Sequence, residues 1–205
     1  MADTAVAILM VLVGYASGAV PWGVVLGRLV GRIDLRSHGS QSIGATNALR
    51  LLGWRVSLAV FLLDFAKGFI PVVIAQLLGF DGWWVAAVGV AAVVGHCWSP
   101  LIGFRGGKGM ATGAGSAAGM FPWVLLVFPL MAIIVALTRY VSLASIVGSV
   151  VVSVVLVVLG IFGFVTWSVT LAVVTITTII LLKHEGNIRR LLSGTERRFG
   201  ESASH

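Results

Sequence analysis

The sequence predicts an all-α integral membrane protein of seven transmembrane helices, with the N-terminus outside the cell and the C-terminus in the cytoplasm. Of the 205 residues, 59% are hydrophobic and only 10% are charged, whereas about a quarter of the residues in soluble domains are charged. The apolar residues form runs of about 20, the length that crosses a bilayer as a helix. Basic residues lie at the ends of these runs, as is typical of cytoplasmic loops. Little polar sequence remains, so we expect one membrane-embedded domain over residues 1–205.

The first apolar run, residues 5–29, has the length of either a signal peptide or a membrane span. A signal peptide begins with positively charged residues. The residues before this run include Asp3 but no Lys or Arg. We therefore expect residues 5–29 to form the first span, with the N-terminus outside.

The later apolar runs decide the topology, and they cover residues 56–78, 83–102, 110–137, 141–162 and 164–182. The run at 110–137 is longer than one span requires and contains Pro122. If this run crossed once, the basic tail would lie outside the cell. If it turns at Pro122 and crosses twice, all of the 14 Lys and Arg residues except Lys67 face the cytoplasm. The positive-inside rule favours the second arrangement, which gives seven spans.

The first polar loop, residues 31–50, interleaves glycines with small hydroxyl residues. Glycines allow several backbone N–H groups to point at one anion, and Arg50 adds a planar cation that suits phosphate. This composition is equally typical of a flexible, solvated linker. The side chains that would donate to a ligand are those of Ser40, Ser42, Thr46 and Asn47.

The second polar loop contains Gly106-Gly107-Lys108-Gly109 directly before a predicted helix. Backbone N–H groups at a helix N-terminus together with a lysine commonly bind phosphate. This is not a Walker A loop, because Lys108 is followed by Gly109 and not by Ser or Thr. A purely topological role for Arg105 and Lys108 would explain the charges but not the glycines, so we expect phosphate binding here.

Two more polar segments lie at the predicted cytoplasmic edge of the membrane. Ser142 and Ser145 are three residues apart, which places them on one face of a helix, although Ser142 is equally suited to be an N-cap. His184 and Asn187 have the same spacing and lie beside two arginines. Both segments are candidates for binding a polar ligand.

The second apolar run contains two charged residues, Asp64 and Lys67. Charges inside the membrane are functional candidates. Their spacing also allows a structural ion pair that faces other helices. We favour the structural interpretation.

Several classes of chemistry lack their residues in this chain. No His is followed five positions later by Asp, so the His-x4-Asp dyad of thioester-using acyltransferases is absent. There is no Gly-x-Ser-x-Gly elbow. There is also no His-Glu-x-x-His motif, and Cys97 is the single cysteine, so we expect no metal site and no disulfide. The net charge of +7 follows the membrane topology, and we expect neither a cofactor nor a nucleic-acid partner.

Together these motifs resemble the acyl-phosphate-dependent glycerol-3-phosphate 1-acyltransferases of bacterial inner membranes, and the likeness covers nearly the whole chain. The chain departs from the usual family pattern at Gln41-Ser42, where Gly-Asn is usual, and at Glu185, where Arg is usual. The matching residues are Gly39-Ser40, Ile43-Gly44-Ala45-Thr46-Asn47 with Arg50, Asp64, Lys67-Gly68, Gly95-His96, Pro100, Phe104, Gly106-Gly107-Lys108-Gly109, Ala111-Thr112, Arg139-Tyr140-Val141-Ser142-Leu143-Ala144-Ser145, His184 and Asn187-Ile188.

The resemblance implies transfer of a fatty acyl group from acyl phosphate to the 1-hydroxyl of glycerol 3-phosphate. The products would be lysophosphatidic acid and phosphate, in the first step of phospholipid synthesis. It also implies a multi-pass protein of the bacterial inner membrane, surrounded by membrane lipids, whose active site faces the cytoplasm. An upstream enzyme would supply the acyl phosphate.

The resemblance also assigns roles to residues. Residues 106–109 would hold the donor's phosphoryl group, while Ser40 and the backbone of residues 44–47 would polarise the acyl carbonyl. Either a substrate phosphate oxygen or His184 would accept the proton of the attacking hydroxyl. Glycerol 3-phosphate would be held by Arg50, Ser142, His184 and Asn187. The implied catalytic residues are Ser40, Lys108, His184 and Asn187, and the implied substrate-binding residues are Gly44, Thr46, Asn47, Arg50, Gly106, Gly107, Gly109 and Ser142.

A transporter or channel for a small organic anion is the alternative function. Asp64 and Lys67 within the bilayer, and the short apolar stretch that begins at Met110, would suit such a protein. Against this function, the polar loops all lie on one side of the predicted membrane, and the sequence contains no evident inverted repeat.

Overall fold

The computed structural model describes residues 4–201, a range that leaves out Asp3, and every regular element in that range is helical. The predicted all-α class is therefore confirmed. Three short 3-10 helices cover Leu35–Ser37, Pro100–Ile102 and Pro122–Leu126. The α-helices are α1 (Thr4–Ala19), α2 (Trp22–Gly31), α3 (Ala45–Leu52), α4 (Trp54–Leu77), α5 (Gly82–Cys97), α6 (Met110–Met120), α7 (Val127–Thr138), α8 (Val141–Ile161), α9 (Trp167–Lys183) and α10 (Glu185–Leu192).

Within residues 4–201, four segments are long and apolar enough to cross a membrane: Thr4–Gly31, Trp54–Leu77, Gly82–Ile102 and Val141–Ile161. Helices α9 and α10 form a fifth candidate, with a bend of 60° between them. Pro122–Thr138 is apolar but shorter. The membrane-spanning character is thus supported, while the count of seven and the orientation of the termini stay predictions.

Prolines interrupt two of the apolar runs, because proline lacks an N–H and its ring clashes with the preceding helical turn. The first run, predicted as one span, is divided by Pro21 into α1 and α2. In the run at 110–137, α6 ends at Met120 and Pro122 begins a 3-10 helix that leads into α7. The predicted break at Pro122 is confirmed.

Helix α6 packs closely against α4 through small residues. A Cβ atom on Gly115 would collide with the carbonyl oxygen of Phe65, and one on Gly68 would collide with the carbonyl oxygen of Thr112. Such close approach between backbones is what small residues permit in membrane helices. It holds the start of α6, and the loop before it, against the middle of α4.

The break at Pro21 leaves carbonyl groups at the end of α1 without helical partners, and side chains from other segments bind them. Lys67 Nζ donates to Val20 O at 2.7 Å, and Ser99 Oγ donates to Ala19 O at 2.6 Å. Lys67 also forms a buried ion pair with Asp64, at 2.7 Å. This geometry supports the structural interpretation of Lys67. Its charge is neutralised by Asp64, and its hydrogen bond to Val20 O joins α4 to the end of α1.

Candidate active site

The polar segments of the sequence meet around one cavity of about 480 Å³. Most of the residues that line it come from the first loop, α3, the turn before α6 and its start, the start of α8, the α9–α10 junction and the C-terminal tail, and α4, α5 and α7 contribute the others. Gly106 and Gly107 are the predicted site residues that do not line it. The predicted site residues that do are Ser40, Gly44, Thr46, Asn47, Arg50, Lys108, Gly109, Ser142, His184 and Asn187.

The first loop is organised by the side chain of Asn47, which is 1% exposed. Its Oδ1 accepts a hydrogen bond from Ser40 N at 2.9 Å. Its Nδ2 lies within 3.1 Å of the carbonyl oxygens of Leu35, His38 and Ser42. The N–H groups of the Asn47 side chain thus bind carbonyl oxygens of the loop itself, and a contact of this side chain with a substrate stays a prediction.

The same loop has fewer backbone N–H groups available to a ligand than we expected. Asn47 N donates to Gly44 O at 3.1 Å, and Gly44 N lies 3.4 Å from Ser42 Oγ. Of the backbone N–H groups expected to act at residues 44–47, those of Ala45 and Thr46 remain available to a ligand. They belong to the first turn of α3, where helical N–H groups have no partner within the helix.

Lys108 reaches the cavity from the turn that precedes α6. Gly109 is the N-cap of α6 and has a φ of 81°, a conformation in which glycine avoids the strain that a side chain would bring. Lys108 is half-buried, and its Nζ donates to Asn187 Oδ1 at 2.6 Å. Burial lowers the pKa of Lys108 to about 8. Arg105, in the same loop, is exposed.

Glu196, which no sequence motif indicated, places a carboxylate in the cavity. Its side chain is 7% exposed. Its Oε1 accepts hydrogen bonds from Ser142 Oγ at 2.7 Å and from Asn187 Nδ2 at 2.6 Å, and its Oε2 accepts one from Arg190 Nε at 2.7 Å. Burial alone would raise the pKa of Glu196, but these hydrogen bonds outweigh it and hold the pKa below its usual value.

The contacts of Glu196 exclude one expectation, that Ser142 is an N-cap, and bear on a second. Ser142 is not an N-cap: α8 begins at Val141 after the N-cap Tyr140, and the Ser142 hydroxyl donates to Glu196 instead. Ser142 and Asn187, which we expected to hold a substrate, direct donors to this carboxylate. A turn with a glycine at position 194 was the only local signal, and it does not reveal where Glu196 points.

A C-terminal strap, residues 194–199, places Glu196 in the cavity. Phe199 N donates to Arg139 O at 2.6 Å, and Arg139 Nη2 donates to Phe199 O at 2.7 Å. Arg198 stacks over the ring of Tyr140. The strap is thereby fastened to the junction between α7 and α8, directly beside Ser142.

His184 lies at the bend between α9 and α10 and is 3% exposed. Its Nδ1 is 2.8 Å from Ile180 O. A carbonyl oxygen only accepts hydrogen bonds, so Nδ1 carries the proton in this contact and Nε2 of the neutral ring is left as an acceptor. His184 therefore has the form that a general base requires.

The family departure at position 185 does not alter the cavity. Glu185 is exposed, and its Oε1 accepts a hydrogen bond from Arg189 Nη2 at 2.6 Å. Neither residue lines the cavity, whereas Arg190 does. The added carboxylate is therefore neutralised on the surface.

An apolar pocket of about 40 Å³ adjoins the polar cavity. It is lined by residues of α6, α7, α8 and α9. Met110, Ala114 and Phe128 line both spaces. A polar site and an apolar pocket thus share one wall, which suits a ligand that has a charged end and a hydrocarbon end.

The chain is similar to the members of one protein family. The family described as "Glycerol-3-phosphate acyltransferase" matches residues 8–194. A glycerol-3-phosphate acyltransferase of Rubrobacter xylanophilus is 42% identical over 198 residues, which is 94% of this chain and 95% of that protein. One of Geobacter sulfurreducens is 42% identical over 196 residues, which is 94% of this chain and 97% of that protein.

Two solved structures have the same fold. Both are described as crystal structures of PlsY (YgiH), an integral membrane glycerol 3-phosphate acyltransferase. The glycerol 3-phosphate form superposes with a TM-score of 0.86 at 40% identity and covers 95% of this chain and 96% of that chain. The lysophosphatidic acid form has a TM-score of 0.84 at 38% identity and covers 95% of each chain.

Proposed function

Because this chain belongs to the glycerol-3-phosphate acyltransferase family, we propose which acyl donor it uses and how its cavity is divided between two substrates. The chain is an integral membrane enzyme that transfers an acyl group to glycerol 3-phosphate. Family membership decides against the transporter alternative. The donor, the roles of individual residues and the orientation in the membrane are the subject of the proposal.

The proposed donor is acyl phosphate, and the observation that carries it is the wall shared by the polar cavity and the apolar pocket. An acyl phosphate has a hydrocarbon chain joined directly to a phosphate group, so it needs both environments within a few bonds. Met110 and Ala114 lie on the shared wall. Both belong to the first two turns of α6, which begins directly after Lys108 and Gly109. The absence of a His-x4-Asp dyad agrees with a donor other than a thioester.

The donor's phosphate is assigned to Lys108 and to the N-terminus of α6. The ammonium group at this site faces the cavity and is fixed by Asn187 Oδ1. The first N–H groups of α6 lie in the same turn, and a helix N-terminus favours an anion. Ser40 and the N–H groups of Ala45 and Thr46 are assigned to the acyl carbonyl oxygen, where negative charge develops during attack.

Glycerol 3-phosphate is assigned to the wall that carries Arg50, Arg190 and His184. Arginine pairs well with phosphate because its planar group offers several donors in a fixed geometry. Ser142 and Asn187 act on this substrate through Glu196, which they hold in place beside Arg190.

The reaction then needs no covalent enzyme intermediate. The 1-hydroxyl oxygen of glycerol 3-phosphate attacks the acyl carbonyl carbon, and the bond from that carbon to the phosphate oxygen breaks. The hydroxyl proton passes to an oxygen of the leaving phosphate, with His184 Nε2 as the alternative acceptor. Glu196 is a poor base, because its pKa is depressed and three donors already bind it. Holding both substrates together supplies much of the rate.

The donor proposal is tested by direct product analysis. Purified protein is given labelled glycerol 3-phosphate with acyl phosphate, acyl-CoA or acylated acyl carrier protein at equal concentration. We expect labelled lysophosphatidic acid and one phosphate per turnover with acyl phosphate alone. Turnover with a thioester donor that equals or exceeds turnover with acyl phosphate would refute the proposal. The expected partner is then an upstream enzyme that makes acyl phosphate.

We further propose that the chain crosses the bacterial inner membrane seven times, with the N-terminus outside and the cavity open to the cytoplasm. The distribution of basic residues supports this topology, since only Lys67 of the 14 Lys and Arg residues falls elsewhere. Trp123 is 68% exposed beside Pro122, and the single native cysteine, Cys97, is buried. Trp123→Cys should react with an impermeant reagent added outside the cell. Labelling only from the cytoplasmic side would rule out seven spans.

A further inference from the structure

The proposed reaction leaves one buried group of ionisable side chains unused: Asp64, Lys67 and His96, on α4 and α5. All three are at most 5% exposed. Lys67 turns away to bind Val20 O, whereas Asp64 and His96 both line the polar cavity. Burying polar groups in a membrane protein is costly unless they have a function or a partner. The position of His96 supplies a reason for this arrangement.

The turn that precedes α6, residues 106–109 and hereafter the glycine loop, rests on His96. Gly107 N donates to His96 O at 3.2 Å. A Cβ atom on Gly106 would collide with His96 O, and one on Gly107 would collide with the ring nitrogen Nε2 of His96. The backbone of Gly106 and Gly107 therefore lies directly against His96, which explains the need for two glycines that do not themselves line the cavity.

Asp64 lies on the other side of the same ring. Asp64 Oδ1 is 3.8 Å from His96 Nδ1 and 2.7 Å from Lys67 Nζ. Among residues 4–201, no group has hydrogen-bonding geometry to His96 Nδ1. The His96 ring is thus enclosed between a carboxylate that is itself fixed by Lys67 and the loop that carries Lys108.

We propose that His96 is a positioning residue for the donor-phosphate site, and that Asp64 sets the position of its ring. The imidazole fills the space next to Gly107 and so fixes the distance between the glycine loop and α5. The position of this loop then determines where Lys108 and the first N–H groups of α6 face the cavity. This inference rests on the proposed role of Lys108 in binding the donor's phosphate. It assigns the intramembrane Asp64–Lys67 pair a link to the site through His96.

The inference predicts an effect on one substrate and not on the other. Removing the ring lets the glycine loop sink toward α5 and withdraws Lys108 from the donor's phosphate. Misplacement of a reacting group by about 1 Å can cost about a hundredfold in rate. Arg50 and Arg190 lie on other segments, so binding of glycerol 3-phosphate should stay as in the wild type.

The test compares His96→Ala with Gly107→Ala, the double variant, and His38→Ala as the matched control, since His38 is exposed in the first loop. For each variant, the KM for acyl phosphate, the inhibition constant of inorganic phosphate and the KM for glycerol 3-phosphate are measured. We expect His96→Ala to raise the KM for acyl phosphate and the inhibition constant of phosphate about tenfold or more, as for the loss of one positioned contact. The KM for glycerol 3-phosphate should stay within about twofold of the wild-type value. His38→Ala should change none of them.

The double variant tests the contact itself. The alanine methyl at position 107 collides with the imidazole of the wild type but fits the space left by His96→Ala. The double variant should therefore be more active than Gly107→Ala alone, with non-additivity of about tenfold, as is usual for residues in contact. Strict additivity would overturn the inference, and so would an equal rise in both KM values. If His96→Ala does not fold, Gly107→Ala must still raise the acyl phosphate KM selectively, and failure to do so also overturns it.

The same assay separates this inference from the proposed function. A wild-type enzyme that does not use acyl phosphate would refute the proposed function. A wild-type enzyme that uses acyl phosphate and is inhibited by phosphate, with His96→Ala unchanged in both, would refute only the role of His96.

Discussion

The two glycine-rich loops that reach the cavity have similar compositions, but their side chains and their backbones have exchanged roles. In the first loop, the Asn47 side chain points inward and folds the loop, and backbone N–H groups are left for a ligand. In the glycine loop, residues 106–109, the backbone rests on His96, and the Lys108 side chain faces the cavity. Asn47 of the first loop should therefore act mainly on the stability of the protein, and Lys108 mainly on the chemistry.

The largest expected effect tests the chemical side of this comparison. Lys108→Ala should lower kcat/KM for acyl phosphate by about a hundred- to a thousandfold, the usual effect of losing one group that stabilises developing charge. Because Lys108 is half-buried in a loop, its loss should leave the thermal unfolding midpoint in detergent nearly unchanged. Activity and unfolding are measured on the same preparation.

Two control variants sharpen this result. Lys108→Arg keeps the charge in a larger, planar group and should restore activity only in part. Arg105→Ala removes an exposed charge from the same loop and should retain nearly full activity. Similar activities of Lys108→Ala and Arg105→Ala at equal expression would show that both residues serve only membrane orientation.

The second effect tests the structural side. Asn47→Ala removes the hydrogen bonds that join Ser40, Leu35, His38 and Ser42, and should destabilise the protein by about 2 to 4 kcal/mol, since several buried backbone groups lose their partner. Thr46→Ala, at the adjacent residue, does not break these bonds and should be nearly neutral in stability. An Asn47→Ala protein with the wild-type unfolding midpoint and strongly reduced activity would show that Asn47, like Lys108, acts on the chemistry and not on stability.

A pH profile separates the loops by a smaller effect. The Lys108 pKa lies at about 8, so its ammonium group is charged below that pH and loses its charge as the pH rises through it. Wild-type kcat/KM, which reports the free enzyme, should fall about tenfold for each pH unit above that value. Lys108→Arg stays charged and should show no such decline. An identical decline in Lys108→Arg would assign the titration to another group.

The smallest effect concerns the backbone of the first loop. Gln41 has a φ of 57°, a left-handed conformation that costs residues other than glycine about 1 kcal/mol or more. Gln41→Gly should therefore raise the free energy of unfolding by about 1 kcal/mol and leave both KM values unchanged. Gly39→Ala, at a φ of 60° and directly against Asn47 Oδ1, should destabilise the protein. Destabilisation by Gln41→Gly would contradict the strain argument.

The features that could be predicted from sequence are those encoded within a few residues. Apolar runs, the break at Pro122 and the glycine turn before α6 depend on local backbone chemistry, and the structure has them. The convergence of the polar segments on one cavity followed from the family resemblance. No local pattern would have brought Ser40 and His184 to the same cavity.

The features that escaped prediction depend on partners far apart in sequence. The hydrogen bond between Ser142 and Glu196 spans 54 residues, and Glu196 follows a turn whose composition suggests only exposure. Asn47 has the same side chain whether it binds a ligand or the loop, and only the folded path of residues 35–42 shows which. His96 looked like a motif residue without a role, because its contact is with glycines, which have no side chain to predict.

The strap that carries Glu196 also sets an order of assembly. Residues 194–199 follow all the helices that the structure describes, and they must fold back onto Arg139 before Glu196 can hold Ser142, Asn187 and Arg190. A nascent chain with all its helices inserted still lacks the anchor for one wall of the site. We therefore expect acyl transfer to depend on a docked strap, and a chain truncated before residue 194 should insert into the membrane with its site unfinished.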